Sequence, residues 1–179
     1  MVLKHEMVEA VRYRVGQFLR ALTARVSQEE LERAIRILTP EARALFRRQA
    51  IQDQRHGLAV YHTLCRAGYT DLQLLAAALL HDVGKAAARL PAWQRAIIVL
   101  LERFAPRLLA RLSRREPQGW RRPFVAHARH PEVGARWAQE AGCSPLTVAL
   151  IRRHQDRLAS YQTEEDQLLA ALQAADSLN

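Results

Sequence analysis

At 179 residues, nearly half of them hydrophobic, the chain is long enough for one domain whose core needs neither disulfides nor a structural metal. Its formal charge of +9 attracts phosphates in general, but the arginines that carry it are scattered over many helical turns, which disfavours a nucleic-acid binder. No run reaches the ~18 consecutive apolar residues of a membrane span, the first residues lack a secretory core, and Cys65 and Cys143 stand far apart without metal or redox spacing, so a cytoplasmic protein with reduced thiols is expected and an integral membrane protein is not.

The hydrophobic pattern is helical from end to end. Val8, Val11, Val15, Phe18, Leu19 and Leu22 recur at three- and four-residue steps and predict an amphipathic helix over 6–25. Ser27 and Glu30 have capping-box spacing and open a second helix carrying Leu31, Ile35 and Leu38. Thr39-Pro40-Glu41 supplies a cap, a proline at the first helical position and an early acid, which together mark a third helix start. Gly68 stops the helix that holds Leu58, Val60, Leu64 and Cys65.

Thr70 and Gln73 form another capping-box pair and open Leu72–Leu80, apolar nearly all round and therefore buried, with His81 and Asp82 at its end. Pro91 opens an amphipathic stretch to Leu112, broken by Pro106, and the arginine-rich Ser113–Pro123 segment reads as a loop. Pro131 starts a helix that Gly142 stops; Ser144-Pro145 caps the next; Thr163 with Asp166 caps the last, through Leu168, Leu169 and Leu172. The expectation is an all-α bundle of seven to nine helices, with residues 1–49 as an N-terminal helical extension packed on a domain over 50–179.

His56, His81, His130 and His154 occupy helical positions beside apolar runs, and a buried imidazole needs a hydrogen bond or a metal. Asp82 and Asp176 also sit against hydrophobic faces, where a lone ionised carboxylate is expensive. A shared dication answers both problems, since imidazole and carboxylate together suit one. Taken singly, each residue has an ordinary explanation as a hydrogen-bonded core group or a solvated side chain; order and context lift the set above chance.

Ala76-Ala-Ala-Leu-Leu-His-Asp-Val-Gly-Lys85 resembles the signature of the HD-domain metal-dependent phosphohydrolase superfamily, H…HD…D, in its H-D-x-G-K form. Asp53-Gln-Arg-His-Gly-Leu-Ala-Val60 is similar to the helix bearing that family's first histidine, at His56, and Ala170-Ala-Leu-Gln-Ala-Ala-Asp176 to the helix ending in its last aspartate. His130-Pro-Glu-Val-Gly-Ala135 followed by Leu150-Ile-Arg-Arg-His154 resembles the branch that includes HD-GYP phosphodiesterases, although His154-Gln155-Asp156 replaces the paired histidines and no Gly-Tyr-Pro follows. The likeness covers about residues 50–179.

The resemblance implies that His56, His81, Asp82 and Asp176 hold one divalent metal, and that Asp82 bridges to a second held by His130 and His154. Iron, manganese, nickel, cobalt, zinc or magnesium could serve. It further implies hydrolysis of a phosphoester of a nucleotide or cyclic dinucleotide through a metal-activated water, with Lys85 at the phosphate-binding edge. Arg55 and Arg121 or Arg122 are further phosphate candidates, and His127 is the reserve for His130, because the two share a helical face if the helix extends back. His5 and His62 read as ordinary residues.

Two other readings compete. One is a non-catalytic HD-like signalling or interaction module. The other is a binder of membrane surfaces or nucleic acid, because Trp93 to Leu112 sets Ile97, Ile98, Leu100, Leu101, Phe104 and Leu108 among arginines, although such a segment is more often core packing or a subunit contact. A homo-oligomer is left open.

Overall fold

The computed structural model describes residues 28–88, 90–114, 119–158 and 161–179. The helix expected over 6–25, the Ser27 cap and His5 lie outside them. Among the described residues there are nine α-helices and no strand, as the helical periodicity requires. They are α1 (Gln28–Ala34), α2 (Pro40–Arg47), α3 (Ile51–Arg66), α4 (Leu72–Leu80), α5 (Ala92–Phe104), α6 (Pro106–Ser113), α7 (Arg122–Glu140), α8 (Pro145–Arg153) and α9 (Glu164–Leu178). Short 3-10 turns at Ile35–Ile37, Val83–Ala87 and Gly119–Arg121 join some of them.

Helix ends follow local chemistry. Thr39, Ser144 and Thr163 each accept a hydrogen bond from the backbone N–H three residues on, and Pro40 and Pro145 occupy first helical positions. α3 and α7 end in Schellman motifs: Tyr69 N–H donates to Leu64 C=O and Cys143 N–H to Ala138 C=O, around Gly68 and Gly142 at φ +87° and +75°. At α4 the cap is Asp71, not the Thr70–Gln73 pair read from the sequence. The Asp71 carboxylate accepts from both Gln73 N–H and Leu74 N–H, which satisfies two orphan donors where a threonine hydroxyl would serve one.

A second correction concerns Pro131. It does not start a helix; α7 runs unbroken from Arg122 through it to Glu140, so the expected loop ends at Arg121. An interior proline removes one hydrogen bond at a cost of about 3 kcal/mol. What replaces that bond is part of the site described below.

α4 is the centre of the bundle. Leu74 to Leu80 are all buried, and α3, α8 and α9 pack around them. Ile35, Leu38, Leu45 and Phe46 from the N-terminal part join Leu58, Leu64, Leu150, Ile151, Leu169 and Leu172 in the same core. A separate small core of Ile98, Leu109 and Phe124 fastens the α5–α6 hairpin to α7. Among the described residues no helix is long and apolar enough to cross a membrane.

Two glycines let backbones meet where the site is built. A Cβ on Gly57 would lie 2.9 Å from Leu79 C=O, so α3 rides directly on the last turn of α4. A Cβ on Gly84 would lie 2.0 Å from His130 C=O and 2.8 Å from Gly134 N, so the 3-10 turn after Asp82 is seated on α7. Because the obstructing atoms are backbone, Gly84→Ala must separate the two elements. We expect it to destabilise the fold by about 2–3 kcal/mol, lowering Tm by roughly 5–10 °C. An unchanged melting curve would show that the two backbones are not in contact.

Candidate metal centre

Six side chains from distant parts of the chain meet at one end of α4. His56 comes from α3, His81 and Asp82 from the residues ending α4, His130 from α7, His154 from the residue ending α8, and Asp176 from α9. One ligand atom each from His56, His81 and Asp82 lie within 4.8 Å of one another, and the same holds for Asp82, His130 and His154.

Asp82 belongs to both groups and turns one oxygen to each. Its Oδ1 is 3.2 Å from His130 Nε2 and 3.9 Å from His154 Nε2; its Oδ2 is 3.6 Å from His81 Nε2 and 4.0 Å from His56 Nε2. Asp176 Oδ1 is 2.7 Å from His56 Nε2 and 3.6 Å from His81 Nε2. Each carboxylate thus spans at least two imidazoles.

Three of the histidines are oriented by one device. The Nδ1 atoms of His81 and His154 lie 2.9 and 2.7 Å from the carbonyl oxygens of Ala78 and Ile151, and His130 Nδ1 meets the carbonyl of His127. A carbonyl can only accept, so each Nδ1 carries the hydrogen and each Nε2 is left with a lone pair directed at the cluster. At His81 and His154 the carbonyl is one of the unpaired acceptors of a helix C-terminus. At His130 it is the acceptor that Pro131, lacking an N–H, leaves open four residues back.

These tautomers make the site a collection of acceptors. His130 Nε2 and His154 Nε2 are 3.2 Å apart with Asp82 Oδ1 beside them, so unless one ring is an imidazolium, two lone pairs and a carboxylate oxygen face each other. His154 resists that role: burial and the neighbouring His81 push its pKa down to about 3. His81 Nε2, fully buried, has no hydrogen-bond partner. Donors around a dication of ~2.0–2.1 Å bond length are spaced roughly 3.0–3.4 Å apart, close to the 3.2–4.0 Å seen here. The donor set fits a divalent metal, and these buried groups could hold one.

Electrostatics without a metal points the same way. Burial disfavours charge on Asp82, yet Lys85, His81 and His130 outweigh it and hold its carboxyl well below the usual range. Burial likewise opposes charge on Asp176 and is outweighed by the hydrogen bond to His56 and the nearby His81, which hold its carboxyl below the usual range. His81 is raised above 6.5, because Asp82 and Asp176 overcome its burial. Lys85 Nζ is 2.6 Å from Asp82 Oδ2; burial would discharge it, but Asp82 keeps its pKa above the ordinary value.

The remaining sequence candidates are placed unequally. His127 contributes its carbonyl and is in neither ligand group, so His130 is the residue brought to the cluster. Arg55 is half-buried beside His56; Arg121 stacks 5.0 Å from the Trp120 ring centroid; Arg122 opens α7, exposed, two turns before His130. His62 faces Glu30 at 3.0 Å, beside a separate cleft of about 440 Å³ lined also by Glu29, Arg33 and Tyr61.

Two contributing residues were not singled out in the sequence. Asp53, buried one turn before His56, adds to the field that keeps Lys85 charged. Gln173, one turn before Asp176, donates to the carbonyls of His154 and Asp156 and ties α9 to the end of α8. The only signal for either was its place on the same helical face as a ligand. Compared with known proteins, the chain matches no family model, and no curated protein or solved structure matches it.

Two outcomes follow from this geometry. Pro131→Ala restores an N–H to His127 C=O and sets it in competition with His130 Nδ1. It should stabilise the helix by up to about 2 kcal/mol while weakening metal binding about tenfold. Thermal melts paired with metal titration read both, and an unchanged affinity would mean that the carbonyl does not set the ring.

In metal-stripped protein, the raised pKa of His81 adds stability that is present below about 6.5 and lost as pH rises through its folded value. The lowered pKa of His154 acts oppositely, its contribution disappearing as pH falls from about 6.5 toward about 3. The lowered pKa values of Asp82 and Asp176 add stability that is lost only below about 4. Urea midpoints should therefore decline from about pH 6.5 toward 4.5, as the His154 contribution is lost, and fall more steeply below about 4, where Asp82 and Asp176 add to it. Asp176→Asn should flatten the steep part, and a variant as steep as the parent would remove Asp176 from the set.

Proposed function

We propose that the chain is a metal-dependent phosphohydrolase of the HD-domain kind, acting on a phosphoester of a nucleotide or cyclic dinucleotide. The observation that carries the proposal is Asp82, a buried carboxylate with one oxygen toward His56 and His81 and the other toward His130 and His154. That arrangement suits a bridging ligand between two dications. His56, His81, Asp82 and Asp176 would hold one, and Asp82, His130 and His154 the other. When bound, a dication there neutralises phosphoryl charge and brings the pKa of water toward about 7, so that a nucleophile is available at neutral pH.

The chain's own residues set access and orientation. The side chains of His130 and His154 are at most 2% exposed, whereas those of His56, Lys85 and Asp176 are 27%, 32% and 35% exposed. The centre is closed on the α7–α8 side and opens between α3, α9 and Lys85, so a phosphate reaches it from there. Lys85 stays charged through neutral pH and stands at that opening, where its ammonium would meet a phosphate oxygen. Asp53 and Asp82 hold its ammonium in place. Phosphorus chemistry is favoured by this cationic edge over a donor set of imidazoles and carboxylates; the nucleoside half of the proposal rests on the sequence resemblance alone.

Elemental analysis of the full chain, with a hydrolysis screen of nucleoside monophosphates, deoxynucleotides, ppGpp and cyclic dinucleotides, tests the proposal. One to two dications per chain and phosphate-ester cleavage are expected. Asp82→Ala should lose the metal and lower kcat/KM by at least about a hundredfold. Lys85→Ala should keep the metal and lose about ten- to a hundredfold, mostly through KM. Full metal and full turnover in Asp82→Ala would end the assignment, and a metal-loaded protein inert on every phosphoester would leave a binding module.

A further inference from the structure

The α5–α6 hairpin carries an exposed apolar stripe, none of whose residues belongs to the metal centre. On α5, Trp93, Ile97, Leu100 and Phe104 are 63%, 39%, 56% and 70% exposed. At 100° per residue they fall within about 60° of arc, one continuous line along the helix. The neighbouring face bears Ile98 and Leu101, which are packed into the small core against α7. The exposed stripe is therefore additional to the face that anchors the hairpin. Leu108 on α6 and Trp120 on the following turn are also large, apolar and exposed, at 46% and 65%.

The charge around it is one-sided. Residues 89–129 contain ten arginines and only two acidic residues, Glu102 and Glu116, in a chain whose formal charge is +9. Arg107, Arg111 and Arg114 are exposed at four- and three-residue spacing on and just beyond α6, forming a ladder along one side. The amphipathic indole and phenyl rings with aliphatic side chains between them match the boundary of acyl chains and headgroups, where arginines snorkel to phosphates.

We propose that this hairpin docks the protein on an anionic lipid surface, with Trp93, Ile97, Leu100 and Phe104 entering the headgroup–acyl boundary and Arg107, Arg111 and Arg114 meeting lipid phosphates. A second copy of the chain is a poorer occupant, since it would bring two arginine-rich faces together. A nucleic acid is poorer too, because Ile97 and Leu100 offer bases neither hydrogen bonds nor stacking. The proposal is independent of any hydrolytic activity.

The test is co-sedimentation of the full chain with vesicles of phosphatidylcholine alone and of phosphatidylcholine with about 30% phosphatidylglycerol. Binding at least about tenfold tighter to the anionic vesicles is expected, weakening between about 0.1 and 0.5 M salt. Arg107→Glu/Arg111→Glu/Arg114→Glu should weaken it by about a hundredfold. Trp93→Ser/Leu100→Ser/Phe104→Ser, which leaves the charge intact, should weaken it at least about tenfold and abolish the blue shift in tryptophan emission. Circular dichroism checks that both variants fold, and the wild-type comparison stands if either does not. Failure of the wild type to pellet with anionic vesicles overturns the proposal. So does unchanged binding by the serine variant, which would reduce the interaction to general basicity. Stripe-dependent dimerisation or nucleic-acid binding, in place of vesicle binding, overturns it as well.

Discussion

The structure turns on placing the Asp82 carboxylate, with a side chain only 5% exposed, at the end of the most apolar helix in the molecule. An isolated anion there would be protonated or would destabilise the fold. Every neighbour that reaches it is a cation or a group able to become one: Lys85 and His81 on its own segment, His56 from α3, His130 from α7 and His154 from α8. Since those neighbours come from separate helices, bringing them to Asp82 is the same act as closing the bundle. The polar centre and the apolar core are built by one set of crossings.

Those crossings explain why the site is assembled from helix endings. A helix C-terminus leaves carbonyls without partners, and a histidine three residues on can satisfy one with Nδ1–H while projecting Nε2 forward. His81 and His154 use true helix ends, whereas His130 uses the vacancy left by Pro131 inside a helix that continues. Gly57 and Gly84 then bring the carrying backbones close enough for short side chains to meet. The helix weakened by Pro131 thus gains an oriented imidazole, a local loss accepted at a site that needs a particular ring direction.

Much of this was legible in the sequence because it depends on local periodicity. The apolar run Leu72–Leu80, the Gly68 and Gly142 stops, and the Thr39, Ser144 and Thr163 caps are all short-range features, and the structure has them as read, except that Leu72 at the start of the run is exposed. Misreadings arose where two local rules gave rival answers. Thr70 and Asp71 are both good caps, and only the backbone's path favours the aspartate. Pro131 fits a helix start as well as a tolerated interior position, and the tertiary contact of α7 with the turn at Gly84 supports the second. Convergence of six residues named from the sequence could not follow from periodicity at all; the family pattern supplied it. Asp53 and Gln173 escaped notice because a single carboxylate or amide on a helix carries no signature until its neighbours are in place.

The balance of charge also explains how the cluster accommodates two carboxylates at the end of an apolar helix. Lys85, His81 and His130 favour the charged form of Asp82, whereas burial keeps His154 neutral beside them. A dication held by these residues would supply the same balance, and Lys85 Nζ, 2.6 Å from Asp82 Oδ2, would compete with it for the carboxylate. The side chains of Lys85, His56 and Asp176 are the exposed ones of the cluster, so the cation that balances Asp82 from its own segment also stands on the open side.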